Sequence, residues 1–129
     1  MEIINKNLIK HQSYIDGEWL EMLDGSTTSI YNPANQEKIG DVSSCGIKEI
    51  NKAIEAACIA QKKWAKVPSK EKSEALNRLY LLMLENQEDL AKIITYEQGK
   101  PLLESRGEIL YGAAYIQWFA EEAKRIYGD

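Results

Sequence analysis

Two hydrophobic periods divide the chain. As far as about residue 43, apolar residues come in short runs broken by turn residues. In SYIDGEWL, Tyr14, Ile15, Trp19 and Leu20 flank Asp16-Gly17, and an Asp-Gly pair between apolar pairs predicts a tight β-hairpin. TTSIYNPA predicts a second strand of β-branched and aromatic residues, stopped by Asn32-Pro33. EKIGDVSS predicts a third, weaker strand around Ile39 and Val42.

From Ile47 onward the apolar spacing becomes helical. Ile47, Ile50, Ile54, Ala57, Cys58 and Trp64 fall on one stripe, with Lys48, Glu49, Lys52 and Glu55 opposite. Ser44 is a candidate N-cap for this helix and Pro68 closes the element. Ser69 caps a second helix whose stripe is Ala75, Leu76, Leu79, Leu82 and Met83. Asn86 caps a third, running through Leu90, Ile93 and Ile94 to Gly99, which can take positive φ without a Cβ clash. Pro101 suits the first position of a fourth helix, closed by Gly128. Glu104 and Glu108 suit the start of that helix, and Lys100 the end of the one before it. The expected fold is α+β: a short β-hairpin and strand region, then four helices. It forms a single 1–129 segment, with an extension over 1–13, strands and turns over 14–43 and helices over 44–129.

The fourth helix is unusual. Between Ile109 and Ala120 the only strongly polar side chain is Gln117, and Tyr111, Tyr115, Trp118 and Phe119 spread aromatic area over more than one face. A helix apolar all round needs cover all round. Either the other three helices supply it, or one face meets protein outside this segment. Gly112 favours the second, because a mid-helix Gly often marks close approach of another backbone.

Composition narrows the functional classes. With 129 residues, 44% hydrophobic content and a formal charge of −4, the chain fits one soluble globular unit. It lacks the concentrated basic footprint that nucleic-acid binding requires. Its longest nearly apolar run, Ile109 to Ala120, is too short to span a bilayer, and the N-terminus does not have the pattern of a signal peptide. Cys45 and Cys58 fit neither a disulfide framework nor a zinc spacing, so a reduced, cytoplasmic setting is the expectation.

Chemistry is hard to find. His11, the single histidine, has no partner near it in sequence, and a catalytic base needs an orienting group. Cys45 precedes a helix start, which favours the thiolate, but no histidine is expected beside it. Cys58 reads as a small hydrophobe. Glu97 and Glu104 flank the Gly99-Lys100-Pro101 join and read as solvated or capping residues. No phosphate-cradling glycine motif is present, and Lys100 lacks the loop that would make it a phosphate ligand.

The motifs YIDGEWL, IYNPANQEKIGDV, AIEAACIAQKKWAKVPSKEKSEALNRL, YEQGKPLLESRGEI and WFAEEAKRIYGD, in this order, resemble the N-terminal part of the NAD(P)-dependent aldehyde dehydrogenases. The resemblance runs from about Tyr14 to Asp129 and is strongest to the succinate-semialdehyde dehydrogenase branch. It implies the first part of the family's cofactor-binding domain. It also implies an enzyme that, at full length, oxidises succinate semialdehyde or a similar small aldehyde with NAD or NADP. The family's reaction runs through a cysteine thiolate that attacks the aldehyde, hydride transfer to the nicotinamide, and hydrolysis by a glutamate-activated water.

In the family that cysteine, the glutamate and the cofactor-binding residues lie further along the chain. Neither Cys45 nor Cys58 matches the nucleophile. The resemblance therefore assigns no catalytic and no cofactor-binding residue here, and implies that this chain alone is inactive. It implies two lesser sites. One is a structural monovalent cation held by the backbone carbonyl of Ile30, or of Tyr31, together with Glu97, where the family often has the shorter Asp. The other is the border of a substrate tunnel, formed by Tyr111, Tyr115 or Trp118, residues that would otherwise serve as core packing. The implied partners are the remainder of the enzyme or a homo-oligomer. The rival reading is a stand-alone helical interaction module that self-associates or binds a partner chain through the Ile109–Ala120 helix.

Overall fold

The computed structural model describes residues 2–22 and 24–125. Strands β1 (Ser13–Ile15) and β2 (Glu18–Leu20) form one antiparallel pair, and β3 (Thr27–Tyr31) and β4 (Lys38–Ser43) another. Helices α1 (Ile47–Trp64), α2 (Ser69–Glu85), α3 (Gln87–Gln98) and α4 (Leu102–Glu122) follow. The α+β class and the division into strands first, then four helices, match the sequence expectation. Contacts divide the chain into two compact units, one of Asn7–Lys66 and one of Met1–Lys6 with Val67–Asp129.

In the first unit the hairpin forms where Asp-Gly predicts it. Asp16 and Gly17 have φ of 55° and 83°, both left-handed, as a two-residue turn matched to the strand twist requires. Ile15 pairs with Glu18 and Tyr14 with Trp19, whose rings sit 5.1 Å apart. The Asn32-Pro33 stop works through Asn32, whose Oδ1 accepts the Ala34 N–H at 2.9 Å while its carbonyl accepts the Gln36 N–H at 2.8 Å. The chain thereby turns back and the second and third predicted strands pair with each other, with a register irregularity between Ile30 and Tyr31.

Helix α1 departs from expectation in two ways. Gly46, not Ser44, occupies its N-cap, and Glu49 reaches back to accept the Gly46 N–H at 3.1 Å. Ser44 is engaged elsewhere: its N–H donates to the Ser26 carbonyl and its carbonyl accepts the Ser26 hydroxyl. The predicted stripe is also exposed. No residue of α1 is buried, and Ile47, Ile50, Ile54 and Trp64 all stand in solvent. The less accessible positions are Glu49, Ala53 and Ala56, on another face. The helix ends at Trp64, before Pro68, which serves instead as the N-cap of α2.

In the second unit α4 packs on α2 and α3. The seam is made of small residues: Ser73, Ala91, Ser105, Ala113 and Ala120 are all buried. Side chains this short let helix backbones approach closely, and the buried Ser105 hydroxyl is satisfied by Thr95 Oγ1 at 2.8 Å. The α2 stripe is rotated from the one read in the sequence. Leu79 and Leu82 are exposed, while Ser73, Leu76, Tyr80 and Met83 face inward or are half-buried.

The helix ends show which local signals were right. Gly99 adopts φ 74° and its N–H donates to the Thr95 carbonyl at 2.9 Å, a left-handed stop as expected. Pro101 is the N-cap of α4, one position earlier than anticipated. Ser69 is the first helical residue of α2 and makes no capping bond. Asn86 does sit at the N-cap of α3, but its side chain donates back to the Leu82 carbonyl instead of capping. Gly128 lies outside the described residues. Gly112 does not mark a backbone approach among the described residues: a Cβ built there meets only Met83 Cε, at 3.6 Å.

Candidate functional site

The aromatic face of α4 is the strongest candidate. Positions 111, 115, 118 and 119 recur at helical spacing, so one face collects Tyr111, Tyr115, Trp118 and Phe119. The rings form a ladder, with centroids 5.6 Å apart for Tyr111–Tyr115 and 6.0 Å for Tyr115–Phe119. With Ala114 these four residues line an open, mainly apolar groove of about 330 Å³. Exposure runs from 54% at Phe119 to 69% at Tyr111, so in this chain the aromatic ladder is surface and not core. Ile109, on the opposite side, is buried and Ile116 half-buried, so the helix has one covered and one open face. Among the three residues expected to border a tunnel, Tyr111, Tyr115 and Trp118, the fold brings all onto this one surface.

The join between α3 and α4 is tied by charge pairs. Lys100 pairs with Glu108 across the turn. Arg106 forks onto Glu88 with two bonds of 2.8 Å, which hold the Glu88 carboxyl below the ordinary glutamate range and push the guanidinium up. Glu97 is exposed in the last turn of α3, and Ile30 sits in β3 beside the register irregularity. These two expected cation ligands belong to different units, and neither unit alone contains both. Among the described residues no group of three or more His, Cys, Asp or Glu side chains is arranged to hold a metal ion.

A second cleft, of about 220 Å³ and with polar and apolar lining, lies in the strand-containing unit, lined in part by His11, Glu21, Met22, Asp41 and Ser43. His11 does find a partner there: its Nδ1 lies 2.9 Å from the Asp41 carbonyl oxygen, and its ring leans on Gly40, where a Cβ would sit 3.1 Å from it. Asp41 is committed to Lys38 at 2.8 Å and to the Ser29 hydroxyl at 2.6 Å, and these bonds, Lys38 first, hold its carboxyl below the usual range. The link from His11 to the backbone of β4 spans 30 residues and had no sequence signal. Cys45 and Cys58 are both exposed free thiols, and Cys45 Sγ lies 3.2 Å from Ser13 Oγ.

No described helix is long and apolar enough to cross a membrane. The family model for the aldehyde dehydrogenase family matches residues 19–129. Glutarate-semialdehyde dehydrogenase of Pseudomonas putida is 51% identical over 129 residues, which is 100% of this chain and 27% of that protein. The NADP(+) succinate-semialdehyde dehydrogenase of Escherichia coli is 46% identical over the same 129 residues, again 27% of its length. The crystal structure of an NADP-dependent enzyme of E. coli superposes with a TM-score of 0.97 at 46% identity, covering 99% of this chain and 27% of that one. The chain thus spans about a quarter of the length of the relatives it matches.

Proposed function

Because the chain belongs to the aldehyde dehydrogenase family, we propose that it is the N-terminal part of an enzyme that oxidises succinate semialdehyde, or a similar small semialdehyde such as glutarate semialdehyde, to its acid with NAD(P)+. The observation that carries this is the identity of 46% to 51% with semialdehyde dehydrogenases along the whole chain. The cofactor supplies the hydride acceptor; no residue described here is assigned to hold it or to attack the aldehyde. This chain contributes packing: α2, α3 and α4 form a tightly seamed bundle, and the open face of α4 offers aromatic area to the rest of the enzyme or to the substrate path. Tyr111, Tyr115 and Trp118 are the residues assigned to that border. A cytoplasmic setting, which rests on the two cysteines fitting no disulfide framework, and a monovalent-cation role for the Ile30 carbonyl with Glu97, which rests on the family resemblance, belong to the same reading. For the cation, parent stability in sodium should exceed that in a large organic cation, and Glu97→Gln should erase the difference.

The test compares two proteins: this 129-residue chain and the product of a reading frame that continues through a cysteine motif. With succinate semialdehyde and NAD+ or NADP+, the longer protein should reduce the dinucleotide and the chain alone should not. Turnover by the chain alone that disappears in Cys45→Ser or Cys58→Ser overturns the reading.

One observation favours a second reading. The exposed ladder from Tyr111 to Phe119 is the kind of contiguous apolar surface that marks an interaction site. On that reading the chain self-associates or binds a partner through α4. Light scattering at micromolar concentration separates the two: a monomer removes self-association, and a dimer lost in Trp118→Ala supports it.

A further inference from the structure

Residues 2–6 belong to the helical unit although the chain leaves it at residue 7 and returns at residue 67. Apolar burial is slight there, with Ile3 only half-buried. Ile4 is 83% exposed and none of residues 2–6 is buried. Two of their backbone hydrogen bonds converge on one side chain. Asp89, in the first turn of α3 and itself only 7% exposed, accepts the backbone N–H of Ile4 at 3.0 Å and of Asn5 at 2.7 Å on Oδ2. Its Oδ1 takes Lys92 Nζ at 3.2 Å. The Asn5 side chain adds a bond of 2.8 Å to Asn86 Oδ1, and Asn86 is in turn fixed to the Leu82 carbonyl at 2.9 Å.

We propose that Asp89 is a latch, and that residues 2–6 form a strap which docks on the start of α3 through the Asp89 carboxylate and can leave as a unit while the helices stay folded. Three features support a strap over an ordinary fold-determining contact. The carboxylate bonds to backbone amides, so this part of the docking does not depend on which side chains the strap carries. The bonded residues are 84 and 85 positions from Asp89, so these bonds are tertiary contacts and not part of the local structure of α3. The buried small-residue seam of α2, α3 and α4 includes nothing from residues 2–6, so losing the strap opens no cavity in it. Charge-assisted bonds to a largely desolvated carboxylate are among the stronger ones a surface segment can make.

Amide hydrogen exchange on the full 129-residue chain tests this. In Asp89→Asn, exchange at Ile4 and Asn5 should rise by at least about tenfold, the loss expected when a bond to a charged group is removed. Amides within α2, α3 and α4 should stay within about threefold of the parent, as separate opening of a local unit requires. Asn5→Pro removes the 2.7 Å bond from the strap side, together with the side-chain bond to Asn86, and should free Ile4 in the same way. The latch is refuted if Ile4 and Asn5 exchange freely in the parent, if neither variant changes them, or if α3 amides accelerate in step with them. The last result would make Asp89 a determinant of the fold and not a latch.

Discussion

Replacing Gly112 by Ala should make the protein more stable, and the size of the gain follows from its surroundings. Gly112 lies in the interior of α4, ten residues past its start at Leu102, and is half-buried. A Cβ placed there finds Met83 Cε at 3.6 Å, an ordinary van der Waals contact with the end of a flexible side chain, and nothing nearer. Ala is favoured over Gly by about 0.8–1.0 kcal/mol inside a helix, because Gly gives up more backbone freedom on folding. A fully buried methyl would add up to about 0.8 kcal/mol, and a half-buried one against a single neighbour adds a fraction of that. The expected gain is therefore about 1 kcal/mol, or a few degrees in melting temperature for a chain of this size. Urea unfolding followed by far-UV circular dichroism should show a higher midpoint with an unchanged slope, which isolates stability from any change in the surface exposed on unfolding. A midpoint equal to or below that of the parent would refute the reasoning. It would mean that another backbone packs against α4 at residue 112, the close approach suggested by the sequence. Gly99→Ala is the internal control. At φ 74° the same added methyl clashes with the backbone, and the change should destabilise by about 1–2 kcal/mol.

Ser105 is fully buried in the seam of α4, so Ser105→Leu should destabilise by roughly 1–3 kcal/mol or more through overpacking, measured by the same urea unfolding. Trp118 is 61% exposed, so Trp118→Ala should leave the melting temperature of the isolated chain nearly unchanged, and unfolding on this change would show that the ladder is core. Asp89 and Glu88 both have carboxyls held below their ordinary values, Asp89 first by the Asn5 amide and Glu88 by Arg106. The stability they contribute is present above the ordinary carboxylate range and is lost as pH falls through their lowered native values. A pH series of melts should therefore fall on the acid side of that range, and the fall should be shallower in Asp89→Asn.

The elements and several of their ends are legible in the order of amino acids alone. Asp16-Gly17 and Gly99 could be read without a structure because each requires a left-handed backbone that few residues tolerate, and the structure shows both positions there. The change of period near residue 47 separated strands from helices for a similarly local reason. The family was also legible, because an ordered set of motifs is a property of the chain and not of its packing. Which faces are covered, by contrast, depends on how the elements pack. The α1 stripe looked like core by spacing, yet Ile47, Ile50 and Ile54 are exposed, because periodicity shows that a face is apolar but not that anything lies against it. The same limit explains α4. Its all-round apolar character resolved into a buried side of Ser105, Ile109, Ala113 and Ala120 and an open aromatic side. The small residues won the seam because helix backbones approach most closely where side chains are short, and that follows from where α2 and α3 lie against α4, not from the hydrophobicity of α4 alone. The Asp89 bonds to Ile4 and Asn5 left no trace in the sequence for a related reason: a carboxylate in the first turn of a helix looks like a dipole partner until the fold brings two distant amides to it.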